Sequence, residues 1–108
     1  MPGRAAPKTK REAAPLSRHV EAFLEMLAAE RGAAKLTLAA YRGDLADVAQ
    51  FLARRGTTVE AAGTEDLRRY LASLARAGLG PRPAARRLSA LRQFHRFLLL
   101  AGIRGDDR

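Results

Sequence analysis

The chain has no cysteine and no tryptophan, and its aromatics are limited to two tyrosines and four phenylalanines among 108 residues. Without cysteine there is neither a disulfide framework nor a thiolate metal site. The longest uninterrupted apolar run is Phe97 to Ala101, far short of the roughly 20 residues that span a bilayer. The opening MPGRAAPKTK carries charge but no apolar h-region, so no secretory signal is expected there. The two histidines, His19 and His95, have no carboxylate or second histidine at ligand spacing. No metal, no cofactor and no catalytic set are therefore expected. Acidic residues are scarce too, 11 against 20 lysines and arginines, giving a net charge of +9. A single small, soluble, cytoplasmic domain with an anionic partner is the expectation, nucleic acid first among such partners.

Arginine outnumbers lysine 17 to 3 and alanine supplies 23 residues, a bias that lowers the weight of bulk basicity. Placement carries more. Residues 16–75 hold eight basic and eight acidic side chains. Residues 76–96 hold Arg76, Arg82, Arg86, Arg87, Arg92 and Arg96 with no acid at all. The excess of the folded part thus falls in one stretch. Residues 1–15 add Arg4, Lys8, Lys10 and Arg11 against Glu12, with three prolines and no apolar period, and read as a flexible basic tail. The folded domain is expected over 16–105.

Glycines 32, 56, 78 and 102 each follow a periodic segment, where a left-handed residue ends a helix. Ser17, Thr37 and Thr64 are candidate N-caps, and Pro83 suits a first helical position. The apolar spacing of Val20, Phe23, Leu24 and Leu27 recurs in Leu38, Tyr41, Leu45, Val48 and Leu52. It recurs again in Leu67, Tyr70, Leu71 and Leu74, and in Leu88, Leu91, Phe94 and Leu98. Each set is one stripe of period 3.6. The prediction is an all-α bundle with helices over 17–31, 37–55, 64–77 and 83–101. His95, Tyr41 and Tyr70 lie on these stripes, which favours packing roles.

On the fourth segment Arg82, Arg86, Ser89, Gln93 and Arg96 fall within about 40° of one line at 100° per residue. That line is predicted to oppose the core and to present guanidinium and amide donors to DNA phosphates or base edges. Lys35, at the start of the second segment, can reach a phosphate near that helix N-terminus. Phe97 to Leu100 leave two readings open, a buried helix end or a docking surface for another domain or subunit. On the second segment Ala39, Gly43, Ala46 and Gln50 form a face of small residues, although Gly43 inside a helix costs about 1 kcal/mol relative to alanine. No acid is paired with another for acid–base work, and Glu65 and Asp66 are expected to offset Arg68 and Arg69.

Thr37-x3-Tyr41-x2-Asp44-Leu45-x5-Phe51-Leu52 resembles the second helix of the core-binding domain of tyrosine recombinases and phage integrases, especially the Xer type. Leu88-Ser89-x-Leu91-Arg92-x-Phe94-x2-Phe97-Leu98 resembles its fourth helix, and Thr64-x2-Leu67-x2-Tyr70-Leu71 its third. The resemblance covers about residues 17–105. It implies a SAM-like orthogonal bundle of four to five helices, the amino-terminal half of a clamp on double-stranded DNA. It also implies a tetramer of recombinase subunits for the full-length enzyme, with this domain monomeric alone. Carried over by position, it nominates Thr37, Ala39, Ala40 and Arg42, and it agrees with the periodicity on Arg82, Arg86 and Ser89. Arg87, Arg92 and Arg96 are further phosphate candidates. Gly43 stands where relatives often carry a basic residue, and Pro81 and Pro83 replace polar ones. The family's catalytic residues lie in a further domain, so this chain is not expected to be an enzyme by itself. The alternatives from other classes are a helical protein-interaction domain with an acidic partner and a stand-alone helix-turn-helix regulator.

Overall fold

A computed structural model describes residues 16–103. The expected tail over 1–15 lies outside the described residues, as do residues 104–108. Four helices follow one another: α1 (Arg18–Arg31), α2 (Lys35–Arg54), α3 (Thr64–Arg76) and α4 (Pro81–Leu100). There is no strand among the described residues, and no helix there is long and apolar enough to cross a membrane.

The termini follow capping chemistry, though not always at the predicted residues. Ser17 caps α1, its hydroxyl accepting from the Val20 N–H at 3.2 Å. Thr37 is not a cap. The helix begins earlier because the Leu38 N–H already bonds the Ala34 carbonyl at 3.0 Å, so Lys35 and Leu36 occupy its first turn. Thr64 is likewise inside its helix, behind the N-cap Gly63. There the capping is reversed, since the Asp66 carboxylate accepts from the Gly63 N–H at 3.0 Å. Pro81 and not Pro83 opens α4. Both prolines fall in the first turn, where the missing N–H would have no helical partner in any case. At the other ends the glycines behave as expected. Gly56, for example, has φ of 81°, and the following Thr57 N–H reaches back to the Leu52 carbonyl at 3.0 Å, the six-to-one bond of a Schellman motif.

The core comes from the predicted stripes. Val20, Phe23, Leu24 and Leu27 of α1 meet Leu45, Val48 and Leu52 of α2 and Leu91, Phe94 and Leu98 of α4. Phe23 lies edge-on to Phe94 with ring centroids 5.6 Å apart and tilts against Phe97 at 5.7 Å. These three rings pin α1 to α4. Tyr70 brings α3 onto α2, its ring tilted against Phe51 with centroids 5.3 Å apart. Two further buried residues, Val59 and Ala62, come from the α2–α3 connection. The Val59 carbonyl faces His95 Nε2 at 2.8 Å, so His95 serves the packing role expected of it. His19, read from sequence as lacking a carboxylate, meets Glu60 at 3.1 Å. Glu60 also accepts from the Ser17 hydroxyl. The connection is thus held at the start of α1 and against α4.

Candidate nucleic-acid interface

The site is built where α2 and α4 lie side by side. Asp44 of α2 is 2% exposed, although it is a carboxylate. Arg86 of α4 satisfies it through a fork, Nε to Oδ2 at 2.7 Å and Nη2 to Oδ1 at 2.8 Å. Arg87 sits beside it. Its Nη1 donates to Asp47 and to the Tyr70 hydroxyl, and Tyr70 in turn donates to Asp47 at 2.7 Å. The Nε of Arg87 is buried without a hydrogen-bond partner and faces Asp44 Oδ1 at 3.6 Å. One ionic network therefore joins α2, α3 and α4. Its electrostatics run as expected for paired charges. The bond to Asp44 holds the Arg86 guanidinium above its ordinary pKa. The bond to Tyr70, above all, does the same for Arg87 against the pull of burial. Burial, and then the Asp47 carboxylate, push the Tyr70 phenol well upward.

This network corrects the sequence reading in two places. The basic segment has no acid of its own but does not lack acids in the fold, because folding brings Asp44 and Asp47 onto it from some forty residues away. The predicted basic line also does not oppose the core. The buried residues Ala90, Leu91, Phe94 and Leu98 centre the core face roughly 45° from where the sequence placed it. Arg86 and Gln93 consequently flank α2. Gln93 donates to the Tyr41 hydroxyl and to Ser89 Oγ, both at 3.1 Å, and its carbonyl faces Arg31 at 3.5 Å. Ser89 and Gln93 are half-buried seam residues. The outward face of α4 is instead Arg82, Ala85, Arg92 and Arg96, all exposed. Among the described residues these three arginines have no ion pair or side-chain hydrogen bond.

On α2, Lys35, Thr37, Ala39, Arg42 and Gly43 are exposed and Ala40 is half-buried. Thr37 lies one turn before Tyr41 and two before Asp44, on the edge that faces α4. Arg42 is on the other edge, forked onto Glu21 of α1 at 2.7 and 2.9 Å. That pairing draws Glu21 below its ordinary range. Nothing lies within 4 Å of the position a Gly43 Cβ would take, so packing inside this domain does not demand a glycine there. Sequence reasoning missed Leu36, a first-turn leucine that is 84% exposed. Its signal was its place off the apolar stripe. The expected offsetting of Arg68 and Arg69 is half met, since Glu65 pairs with Arg69 while Asp66 pairs with Arg55.

Two grooves border α4. One, of about 510 Å³, runs between the ends of α1 and α4 over Phe23, Met26, Phe97 and Leu100. The other, of about 630 Å³, lies between α3 and α4 over Leu67, Leu71, Leu88 and Leu99, rimmed by Arg68, Arg92 and Arg96. The apolar end of α4 is thus neither fully buried nor fully free: Leu98 is buried and Leu100 is 76% exposed. No cluster of three or more histidine, aspartate or glutamate side chains able to hold a metal occurs among the described residues.

Residues 20–102 match the family of the phage integrase N-terminal SAM-like domain. Tyrosine recombinase XerD of Agrobacterium fabrum is 54% identical over 88 residues, 82% of this chain and 27% of that protein. XerD of Rhizobium meliloti is 55% identical over 89 residues, 82% of this chain and 29% of its own length. XerD of Caulobacter vibrioides is 51% identical over 87 residues, covering 81% and 28%. The chain thus spans less than a third of the length of these curated relatives. No solved structure gives a significant match. The all-helical fold, the ordered helix motifs and these similarities agree: the chain belongs to the phage integrase N-terminal SAM-like domain family, the Xer-like branch of the tyrosine recombinases.

Proposed function

We propose that this domain grips double-stranded DNA at one recombination half-site for a tyrosine site-specific recombinase. The observation that carries the reading is the outward face of α4, where Arg82, Arg92 and Arg96 stand unpaired in a segment without acids. Solvated helix faces ordinarily mix both signs for pairing three and four residues apart. Unpaired guanidinium groups in a row instead match the spaced phosphates of a duplex. Beside them the start of α2 offers Lys35 and Thr37, and the smooth Ala39–Ala40–Gly43 surface permits close approach to a groove. Strand cleavage and joining belong, on this reading, to a catalytic domain outside this chain, in a cytoplasmic enzyme that assembles as a tetramer on DNA. Alone, the domain positions DNA and performs no chemistry.

The test is binding of the purified chain to duplexes selected by it from a randomised pool, followed by fluorescence anisotropy at several salt concentrations. Saturable binding with a steep inverse dependence on salt, and preference over unselected duplex, supports the reading. Binding to an acidic peptide with none to duplex overturns it in favour of a protein partner.

A further inference from the structure

We propose that Asp44 is a positioning residue for DNA recognition: by holding the side edge of Arg86 it aims the remaining edge of that guanidinium at a paired acceptor on DNA. The inference rests on the proposed function and goes beyond it, since it assigns a role to a buried acid that touches no DNA.

The geometry carries it. A guanidinium has five N–H donors in one plane. Asp44 takes the Nε donor and one Nη2 donor at 2.7 and 2.8 Å. Three donors remain; one Nη1 hydrogen and the second Nη2 hydrogen form the end-on edge, two parallel donors that suit a phosphate or the O6 and N7 of guanine. The Arg86 side chain is 47% exposed while its partner is 2% exposed. The carboxylate is therefore fixed inside the domain and the fork is presented at its surface. Arg87 also flanks Asp44, its Nε lying 3.6 Å from Oδ1, the oxygen that accepts from Arg86 Nη2. Arg86 also stands between Thr37's edge of α2 and the free arginines of α4, so a ligand that spans both helices passes over it. An unsupported arginine must lose several rotatable bonds' freedom on binding, whereas a buttressed one has lost it already.

The sign of the effect separates this role from electrostatics. Removing a carboxylate from a DNA-binding surface strengthens binding if charge alone matters. Here Asp44→Asn is expected to weaken it, by roughly 5- to 150-fold, the range of one good forked contact. Arg86→Ala is expected to cost about the same, and Asp44→Asn added to Arg86→Ala is expected to cost little more. Arg86→Lys keeps the charge and the pairing to Asp44 but lacks the second edge, so it is expected to resemble Arg86→Ala. The measurement is anisotropy with the selected duplex and with variants of it at each base pair, after circular dichroism confirms the helical fold of each protein. A log–log salt slope flatter by about 1 in both single variants identifies a phosphate. An unchanged slope with relaxed preference at one base pair identifies guanine. Tighter binding by Asp44→Asn, additive losses in the double variant, or wild-type binding by Arg86→Lys overturns the proposal. The Arg86→Lys comparison stands even if Asp44→Asn does not fold. Absence of DNA binding by the unaltered chain is a different outcome, which removes the proposed function itself.

Discussion

The strongest expectation concerns which arginines are free. Arg82, Arg92 and Arg96 project from α4 without partners among the described residues, whereas Arg42, Arg55 and Arg69 are each held by an acid, Glu21 at 2.7 Å, Asp66 at 3.1 Å and Glu65 at 3.1 Å. Replacing either set of three by alanine changes the net charge equally. If each free guanidinium neutralises one phosphate, the α4 set contributes about −2.7 to the slope of log affinity against log salt. A fourfold rise in salt then weakens binding roughly 40-fold through these contacts alone. The α4 triple variant is expected to lose that share, and the paired triple to flatten the slope by less than about 1. All six side chains are at or near the surface, where such pairs stabilise the fold little, so both variants should remain helical by circular dichroism. Fluorescence anisotropy across a salt series reads the slopes directly. Equal flattening in the two variants would reduce the site to bulk charge, and a larger effect from the paired set would falsify the α4 face.

Three further outcomes follow from the packing and the ionisable groups. Phe94 is fully buried against Phe23, so Phe94→Ala should cost about 3–5 kcal/mol in urea denaturation, while Phe97→Ala, at the lip of an open groove, should cost distinctly less; the reverse order would refute the core assignment. The Asp66 carboxyl is held below its ordinary pKa, first by the Gly63 N–H and then by Arg55. Its folded value is thus the lower one, and its contribution is complete above the unfolded pKa near 4 and is lost as pH falls through the depressed folded value. The gap in urea midpoint between the unaltered chain and Asp66→Asn should therefore narrow on acidification below pH 4 or so, and a constant gap would refute the linkage. Finally, incubation with a nicked suicide duplex should give no covalent protein–DNA adduct on a denaturing gel, because Tyr70 is 1% exposed with its phenol pushed upward by burial and Asp47; an adduct abolished by Tyr70→Phe or Tyr41→Phe would overturn this.

Much of the fold was legible because it is local. A stripe of period 3.6 closed by a glycine marks a helix without reference to the rest of the chain, and all four segments were found to within a few residues. The caps were harder, because Asp66 caps α3 from inside the helix, a role that a scan for Ser and Thr passes over. The basic character of α4 was legible in composition and its geometry was misread. Arg92 and Arg96 were nominated and are free, but Arg86, Gln93 and Ser89 proved to line the α2 seam. The apolar stripe left out Ala90, whose small side chain is fully buried and moves the centre of the core face toward the α2 seam. Asp44 carried a signal that stripe-reading overlooked. It lies three residues after Tyr41 and four before Val48, an acid on an otherwise apolar edge, which demands a cation from elsewhere in the chain.

The attachment of α3 bears on how the domain breathes. This helix packs principally on α2, through Tyr70, Phe51 and Asp47, and leaves a groove along α4. The aromatic contacts that join α1 to α4 do not involve it. Helices with few partners open first in sub-global fluctuations, ahead of the body they rest on. The amides of α3 should accordingly exchange with solvent faster than those of α1, α2 and α4. Each such opening withdraws the Tyr70 hydroxyl from Arg87 while Asp44 keeps Arg86 in place. The proposed DNA-facing surface on α2 and α4 is thereby insulated from the least stable part of the bundle.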